Sequence, residues 1–246
     1  KMFIFITGND TEIGKTLVTS LIVKLLSKKN KTKKISIIKP VESGIESFAE
    51  SDLGFIKKNN KHSKLIEYFN FYTFSDPISP YTASLIEKDK IKFNTLVKKI
   101  YEVKKNSDIT IIEGAGGLMV PLTPSKKIID LIQVLESDCY LVVSPSLGTI
   151  NHTLLSIEAL KSRKISFKGI VINQYPENPG ISEIYNPVFF SDNKIKINGV
   201  IPKMKKDKIP ILFSNADKYL SKELGGKFNI KTFIKSRNLL FKKSIL

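Results

Sequence analysis

Apolar residues gather in short runs along this chain. The first, MFIFITG at 2 to 8, stops at a glycine, and the next segment, TLVTSLIVKLLSKK, spaces its apolar residues for one helix face. The opening unit therefore reads as strand, loop, helix. Further β-rich runs follow at 34 to 41 (KISIIKPV, stopped by Pro40), 108 to 117 (DITIIEGAGG, stopped by glycines), 139 to 145 (CYLVVSP) and 167 to 174 (FKGIVINQ), with KINGVIPK at 196 to 203 as a sixth. These runs lack clean alternation and are separated by helical segments. That pattern predicts an α/β fold with a mostly parallel sheet and helices on both faces. Such sheets bind ligands beyond the carboxyl ends of their strands, where the glycines, acids and lysines of this chain cluster. The stretch PENPGISEIYNP at 176 to 187 reads as a surface loop near the base of a nucleotide, and the tail from Asn229 to Leu246 has helical spacing. No internal repeat and no Gly/Ser- or Pro-rich linker divides the chain, so one domain over 1 to 246 is the expectation.

Composition changes this picture little. Hydrophobic residues make up 41% and charged residues 26%, which is ordinary for a globular chain. No run approaches the roughly 18 to 20 apolar residues of a membrane span. The opening residues lead straight into the first strand, so no membrane partner and a cytoplasmic location are expected. Cys139 is the single cysteine, which excludes an intrachain disulfide and a cysteine-built metal site; it reads as a small core residue. The formal charge of +17 suggests polyanion binding if taken alone. Of the 40 basic residues, however, only Arg163 and Arg237 are arginine, and the lysines are scattered, as in KKNKTKK at 28 to 34. Phosphate and base recognition favours the bidentate guanidinium fork, so no nucleic-acid partner is expected. The same positive field can still concentrate an anionic nucleotide.

The candidate chemistry lies in four motifs. GNDTEIGKT, Gly8 to Thr16, sits between a strand and a helix, as a phosphate loop must. Its glycines let backbone N–H groups approach phosphate oxygens, Lys15 reaches the terminal phosphates, and the Thr16 hydroxyl can ligate magnesium. Five residues separate Gly8 from Gly14, where the common pattern has four. The fold expectation sharpens to a P-loop NTPase-like α/β sheet. KPVESG, Lys39 to Gly44, follows the second run; there a lysine can neutralise a carbamate or a transferring phosphoryl group and Ser43 can donate to the same oxyanion. Alone, a lysine before proline is more often a solvated strand end, and only the company of the other motifs reverses that preference. EGAGGLMVP begins with Glu113, an acid placed to hold magnesium, although the segment alone also reads as a tight turn. Asp52, in ESDLG, is a second metal acid by type and a helix N-cap by spacing. SLGTINHT, Ser146 to Thr153, offers N–H groups at a helix start for a carboxylate. His152 there, and His62 in NNKHSK, read as a structural and an exposed inert histidine.

Taken in order and spacing, GNDTEIGKT, KPVESG, ESD, SPYTA, EGAGG with VPL, LGTINHT and VINQ resemble the dethiobiotin synthetase family over residues 3 to about 205. The family shares the extra residue in its phosphate loop. The resemblance implies that ATP, carbon dioxide and 7,8-diaminononanoate become dethiobiotin, ADP and phosphate, with Mg2+ accompanying the nucleotide. It implies that Lys15, Lys39, Thr11 and Ser43 carry the chemistry and that Thr16, Asp52 and Glu113 hold the metal. Around the nucleotide it places Asn9, Asp10, Glu12, Ile13, Gly14, Lys15, Thr16 and Leu17, with Asn173 on the adenine and Pro202 nearby. Around the diamine it places Thr11, Lys39, Ser43 and Gly117, and it gives the tail carboxylate to Gly148, Thr149, Ile150 and Asn151. That last contact comes from a partner subunit in the family, so a homodimer with its substrate site at the interface is implied. Glu42 and Asn9 are expected to vary without altering the chemistry. A partition-type or septum-positioning switch ATPase is the first alternative, but those carry K-G-G-x-G-K, and position 9 here is Asn. A phosphate-loop amidating ligase would need a glutamine-hydrolysing domain, and a nucleotide-binding module without catalysis is a third alternative.

Overall fold

Phe3 and Phe5 of the first strand pack into one hydrophobic cluster and Ile4 and Ile6 into another, and all four are buried. That two-sided burial is the signature of a strand covered on both faces. In the computed structural model, which describes residues 1–61 and 65–236, it recurs along all but the edge strand Ile66–Phe74 of seven strands. These are β1 (Met2–Gly8), β2 (Ile35–Ser43), β3 (Ile66–Phe74), β4 (Ile109–Gly117), β5 (Asp138–Val143), β6 (Phe167–Tyr175) and β7 (Ile197–Pro202). They form one sheet in the order β3-β2-β4-β1-β5-β6-β7, and each adjacent pair is parallel. His62 and the tail from 237 onward lie outside the described residues.

The helices are α1 (Lys15–Lys29), α2 (Asp52–Asn59), α3 (Pro80–Ile86), α4 (Phe93–Lys105), α5 (Ile128–Leu135), α6 (Thr149–Ser162), α7 (Ile181–Asp192), α8 (Ile209–Ser214) and α9 (Ile230–Ser236). On one face Leu21, Ile22 and Leu25 of α1 and Leu53 and Ile56 of α2 meet Ile4, Ile6 and Ile37, and Phe213 and Leu220 close that layer. On the other face Leu96 and Ile100 of α4 and Leu131 and Leu135 of α5 meet Phe5, Ile38 and Ile112. A third cluster joins Leu141, Ile170 and Ile172 to Phe190 of α7 and Phe233 of α9. The helical spacing expected for the tail is thus realised as α9 within the described part. Cys139 is fully buried on β5, and burial pushes its thiol far above the usual range. Among the described residues no helix is long and apolar enough to cross a membrane.

Three expectations from the sequence are corrected. The six runs omit β3, an edge strand whose aromatic residues Tyr68, Phe69, Phe71 and Tyr72 are only partly buried. Pro40 does not stop β2, which continues to Ser43. Pairing with β4 ends at Ile38, whereas pairing with β3 runs on through Val41 to Ser43 and skips Pro40, so its missing N–H leaves no central ladder broken. The stretch 176 to 187 is a loop only to 180, because α7 begins at Ile181 and keeps Pro187 in its interior. An interior proline costs a helix about 3 kcal/mol, and the burial of Val188 and Phe190 in the same helix offsets it.

The order of strands positions the site. From β1 the chain passes to β2 on one side, and from β4 it crosses to β5 on the other, so a crevice opens at the carboxyl ends beside β1. Helix α2 borders that crevice, and its Gly54 is packed without clearance: a Cβ there would lie 2.1 Å from the Phe48 carbonyl oxygen. Alanine in place of a helix glycine normally stabilises by about 1 kcal/mol. At Gly54 the sign should reverse. Gly54→Ala is expected to lose about 1 to 3 kcal/mol in urea unfolding through overpacking; a gain would show that the 48–49 backbone yields freely.

Candidate functional site

β1 ends at Gly8, and the chain turns sharply through Asn9 to Gly14 before α1 begins at Lys15. Asn9 N–H donates to the Val142 carbonyl at 3.2 Å and its Nδ2 to Thr153 Oγ1 at 3.3 Å, which ties the start of the loop to β5 and α6. Two residues take left-handed backbone, Glu12 at φ 52° and Gly14 at φ 77°. Glycine is required at 14 for a second reason, since a Cβ would lie 2.3 Å from Asn173 Nδ2. That nitrogen donates to the Ile13 carbonyl at 2.8 Å, and Gln174 Nε2 donates to the Glu12 carbonyl at 3.0 Å. The end of β6 therefore engages the loop's carbonyls. A glycine-bearing loop leading into a helix N-terminus is the arrangement that binds phosphate through backbone N–H groups.

A cavity of about 590 Å³ opens beside this loop at the carboxyl end of the sheet. Thr11, Glu12, Gly14, Lys15 and Thr16 line one side, Lys39, Ser43 and Asp52 another, and Glu113 the floor. Nine of the residues singled out from sequence thus converge from β1–α1, β2, α2 and β4. Ser43 Oγ donates to the Ile78 carbonyl at 2.7 Å, and Lys15 Nζ donates to the Asp10 carbonyl at 3.1 Å.

The floor is an ion cluster. Lys39 Nζ donates to Glu113 Oε1 at 2.9 Å and to Asp52 Oδ2, and Thr16 Oγ1 lies 2.7 Å from Asp52 Oδ1 and 2.9 Å from Glu113 Oε1, its single proton shared between the two carboxylates. Lys39 and Glu113 are almost fully buried. Burial alone would push the Lys39 ammonium toward neutrality, yet Glu113 and Asp52 outweigh it and hold Lys39 protonated well above the usual lysine range. Lys15 has no such pair of partners. Burial, reinforced by the neighbouring Lys39 charge, lowers its pKa, so this ammonium lacks a full counter-charge and suits an anionic ligand. Burial lifts Glu113 above the carboxylate range against the opposing pull of Lys39. At Asp52 burial acts in the same direction, but the charge and hydrogen bond of Lys39 win and hold the carboxyl below its ordinary value.

The donor set also suits a hard cation. The Thr16 hydroxyl and two carboxylates are the oxygen ligands Mg2+ prefers, and Glu113 Oε2 is buried with no hydrogen-bond partner among the described residues. By spacing Asp52 was a candidate N-cap; the cap is Ser51, whose Oγ accepts from Gly54 N–H at 3.0 Å, and this frees the Asp52 carboxylate for the cluster.

Other predicted residues lie apart from this cavity. Asn9, Asp10 and Gly117 line a neighbouring cavity of about 600 Å³ that shares Thr11, with Met119 and Leu155 on its apolar wall. Ile13 is buried, and Leu17 packs against the core. Asn173 is buried behind the loop with its Oδ1 unpartnered among the described residues. Pro202 pairs with Tyr175 at the end of β7. Gly148, at φ 90°, caps α6, where Thr149 is buried and Asn151 exposed. None of residues 148 to 151 is among those lining the lysine cavity. His152 is exposed on α6. Sequence reasoning missed Gln174, although it stands in the VINQ segment. It also missed Asn186, whose Nδ2 pins the Pro145 carbonyl at 2.6 Å. Glu42, expected to be indifferent, is 5% exposed and accepts from Asp52 N–H at 2.6 Å and Asn70 Nδ2 at 2.8 Å.

Comparison with known proteins places this geometry among relatives. A family model described as an AAA domain matches residues 3–208. The ATP-dependent dethiobiotin synthetase of Bacillus velezensis is 33% identical over 202 residues, covering 81% of this chain and 86% of the relative. That of Methanococcus vannielii is 38% identical over 173 residues, covering 69% and 78%. Among solved structures, the septum site-determining protein MinD of Pyrococcus horikoshii, complexed with Mg-ADP, superposes with a TM-score of 0.57 at 16% identity, covering 100% of this chain and 99% of that one. The MinC:MinD complex of Aquifex aeolicus gives 0.57 at 16% identity, covering 97% and 96%. At that identity the likeness shows the shared fold alone.

Removing the Lys39 ammonium would leave Glu113 and Asp52 facing each other in a buried floor. Lys39→Met is expected to cost about 3 to 5 kcal/mol at neutral pH. The deficit should shrink on acidification: a carboxyl whose folded pKa is raised takes up its proton in the native state first, so stability rises as pH falls toward the ordinary glutamate value of 4.5. Urea unfolding at pH 8 and pH 5.5 tests this, and a deficit equal at both values would show that Glu113 does not carry the uncompensated charge.

Proposed function

This chain belongs to the ATP-dependent dethiobiotin synthetase family, and from that premise we propose that it closes the ureido ring of dethiobiotin in the cavity between the phosphate loop, Lys39 and Ser43. It is an ATP-dependent ligase of biotin biosynthesis. The observation that carries the placement is the convergence of Lys15, Lys39, Thr16, Asp52 and Glu113 on one cavity at the carboxyl end of the sheet.

The chemistry needs no enzyme nucleophile. One amine of 7,8-diaminononanoate adds to carbon dioxide and loses a proton, giving a carbamate. A carbamate oxygen then takes the γ-phosphoryl group of ATP, releasing ADP. The second amine attacks the carbonyl carbon of this mixed anhydride, phosphate leaves, a proton is lost and the five-membered ring closes. Each step concentrates negative charge on oxygen, so catalysis rests on positioned cations and donors in a partly desolvated site. Lys15, short of counter-charge, meets the phosphoryl oxygens. Lys39, kept cationic by its two carboxylates, stabilises the carbamate, and the hydroxyls of Thr11 and Ser43 orient the reacting end. The backbone of Asn9 to Thr16, with the Leu17 N–H, cradles the phosphates. Asn173, whose Oδ1 is unpartnered among the described residues, and Pro202 face the base. Mg2+, held by Thr16, Asp52 and Glu113, would neutralise charge on the terminal phosphates when bound.

Gly117 and the apolar wall of the neighbouring cavity suit the methylene chain. Because Gly148 to Asn151 do not line the lysine cavity of their own chain, the reading includes a homodimer in which a second copy brings these N–H groups to the tail carboxylate. A cytoplasmic enzyme acting on small molecules, with neither nucleic acid nor membrane as partner, completes the proposal. The switch-ATPase alternative shares the fold, but its second loop lysine is replaced here by Asn9.

Phosphate release from ATP and Mg2+ with bicarbonate should depend on the diamine and match dethiobiotin measured by mass spectrometry; release indifferent to the diamine would overturn the assignment. Lys15→Ala should lower kcat by about 100- to 1000-fold, as expected for loss of one charge-stabilising donor. Asn151→Ala should raise KM for the diamine more than KM for ATP, and equal changes in both would count against its role at the carboxylate.

A further inference from the structure

Asp52 reaches the ion cluster from the first residue of α2, so the position of its carboxylate depends on how that helix end is held. Two side chains hold it. Ser51 Oγ takes the Gly54 N–H, and Glu42 Oε1, from β2, takes the Asp52 N–H itself at 2.6 Å. A carboxylate at this point also meets the positive end of the helix dipole. Glu42 is not free to choose another pose, because its second oxygen accepts from Asn70 Nδ2 on β3 at 2.8 Å. The chain of contacts runs from Asn70 to Glu42, to the Asp52 backbone, and through the Asp52 side chain to Thr16 and Lys39. It links the edge strand of the sheet to the α1 hydroxyl. Glu42 is 5% exposed, so both of its hydrogen bonds are made away from water, and its two oxygens serve donors on two different elements.

We propose that Glu42 is a positioning residue, which with Asn70 fixes the Asp52 backbone and thereby sets the Asp52 carboxylate for the cation that accompanies the nucleotide. The inference rests on the assignment of Asp52 as a metal-holding residue. It acts through hydrogen bonds, which gives it a distinctive pattern among variants. Glu42→Ala removes both bonds. Glu42→Gln keeps an oxygen for the Asp52 N–H, and its new NH2 group can be accepted by Asn70 after an amide flip, because Asn70 Oδ1 is buried and unpartnered among the described residues.

The test is the affinity of the full chain for ADP, measured by titration calorimetry with Mg2+ and with EDTA, on wild type, Glu42→Ala, Glu42→Gln and Asp52→Ala. Glu42→Ala should reduce the Mg2+-dependent gain in affinity by about tenfold. Its affinity in EDTA should stay close to wild type, and Glu42→Gln should restore most of the gain. Amide hydrogen exchange over residues 51 to 55, read by mass spectrometry without metal, should speed up in Glu42→Ala and return toward wild type in Glu42→Gln. If Asp52→Ala loses the Mg2+ gain while Glu42→Ala keeps it, the role of Glu42 is overturned and that of Asp52 stands. If Asp52→Ala keeps the gain, the metal assignment fails, and the role of Glu42 fails with it. A Glu42→Ala loss equal in Mg2+ and EDTA, or a Glu42→Gln variant as impaired as alanine, would likewise overturn the proposal.

Discussion

A buried ammonium shared by two carboxylates holds the site of this protein together. Lys39 rises from β2, Glu113 from β4 and Asp52 from α2; the first two meet where water is nearly excluded, and Asp52 closes the cluster from its more open side. Neither Lys39 nor Glu113 would stay charged there alone, because desolvation of a lone buried ion costs several kcal/mol. Together they are satisfied, and Thr16 bridges both acids from the first turn of α1. The cluster therefore fixes four elements relative to one another at the point where the sheet opens. It also sets the two lysines apart: Lys39 is held cationic by its carboxylates, while burial and the Lys39 charge leave Lys15 with a lowered pKa.

The sheet itself is general equipment. MinD-type ATPases share its layout at 16% identity, so the fold does not choose between a switch and a ligase. What distinguishes this chain is local. Asn9 ties the loop to Thr153, and the ion cluster, Ser43 and Thr11 line one cavity of about 590 Å³. Membership of the dethiobiotin synthetase family rests on relatives more than 30% identical over most of both chains.

Much of this was legible in the sequence, for physical reasons. Two-sided burial leaves uninterrupted apolar runs, and phosphate binding leaves glycines and a lysine at fixed spacing, so six strands and the loop could be placed, while the grouping of Thr16, Asp52 and Glu113 came from the family resemblance. What escaped was whatever depends on neighbours far along the chain. Pro40 reads as a terminator until one sees that β4 has already left β2 at Ile38. β3 reads poorly because an edge strand covers its aromatic residues only in part. Pro187 reads as a loop signal until Val188 and Phe190 are seen buried. Glu42 looks interchangeable in KPVESG, because its partners lie 10 and 28 residues away. Asn173 and Gln174 hold the phosphate loop across some 160 positions, a contact no local pattern encodes.

Cys139 lies on β5 with its side chain wholly enclosed, and it is the only thiol in the chain. Both enclosure and its raised pKa keep the reactive thiolate from forming while the sheet is intact. The molecule thus carries a built-in clock for its own opening. An alkylating reagent can mark it only when β5 is laid bare, so the rate of marking counts those openings without any label being engineered, and a ligand that tightens the sheet will be seen to slow it.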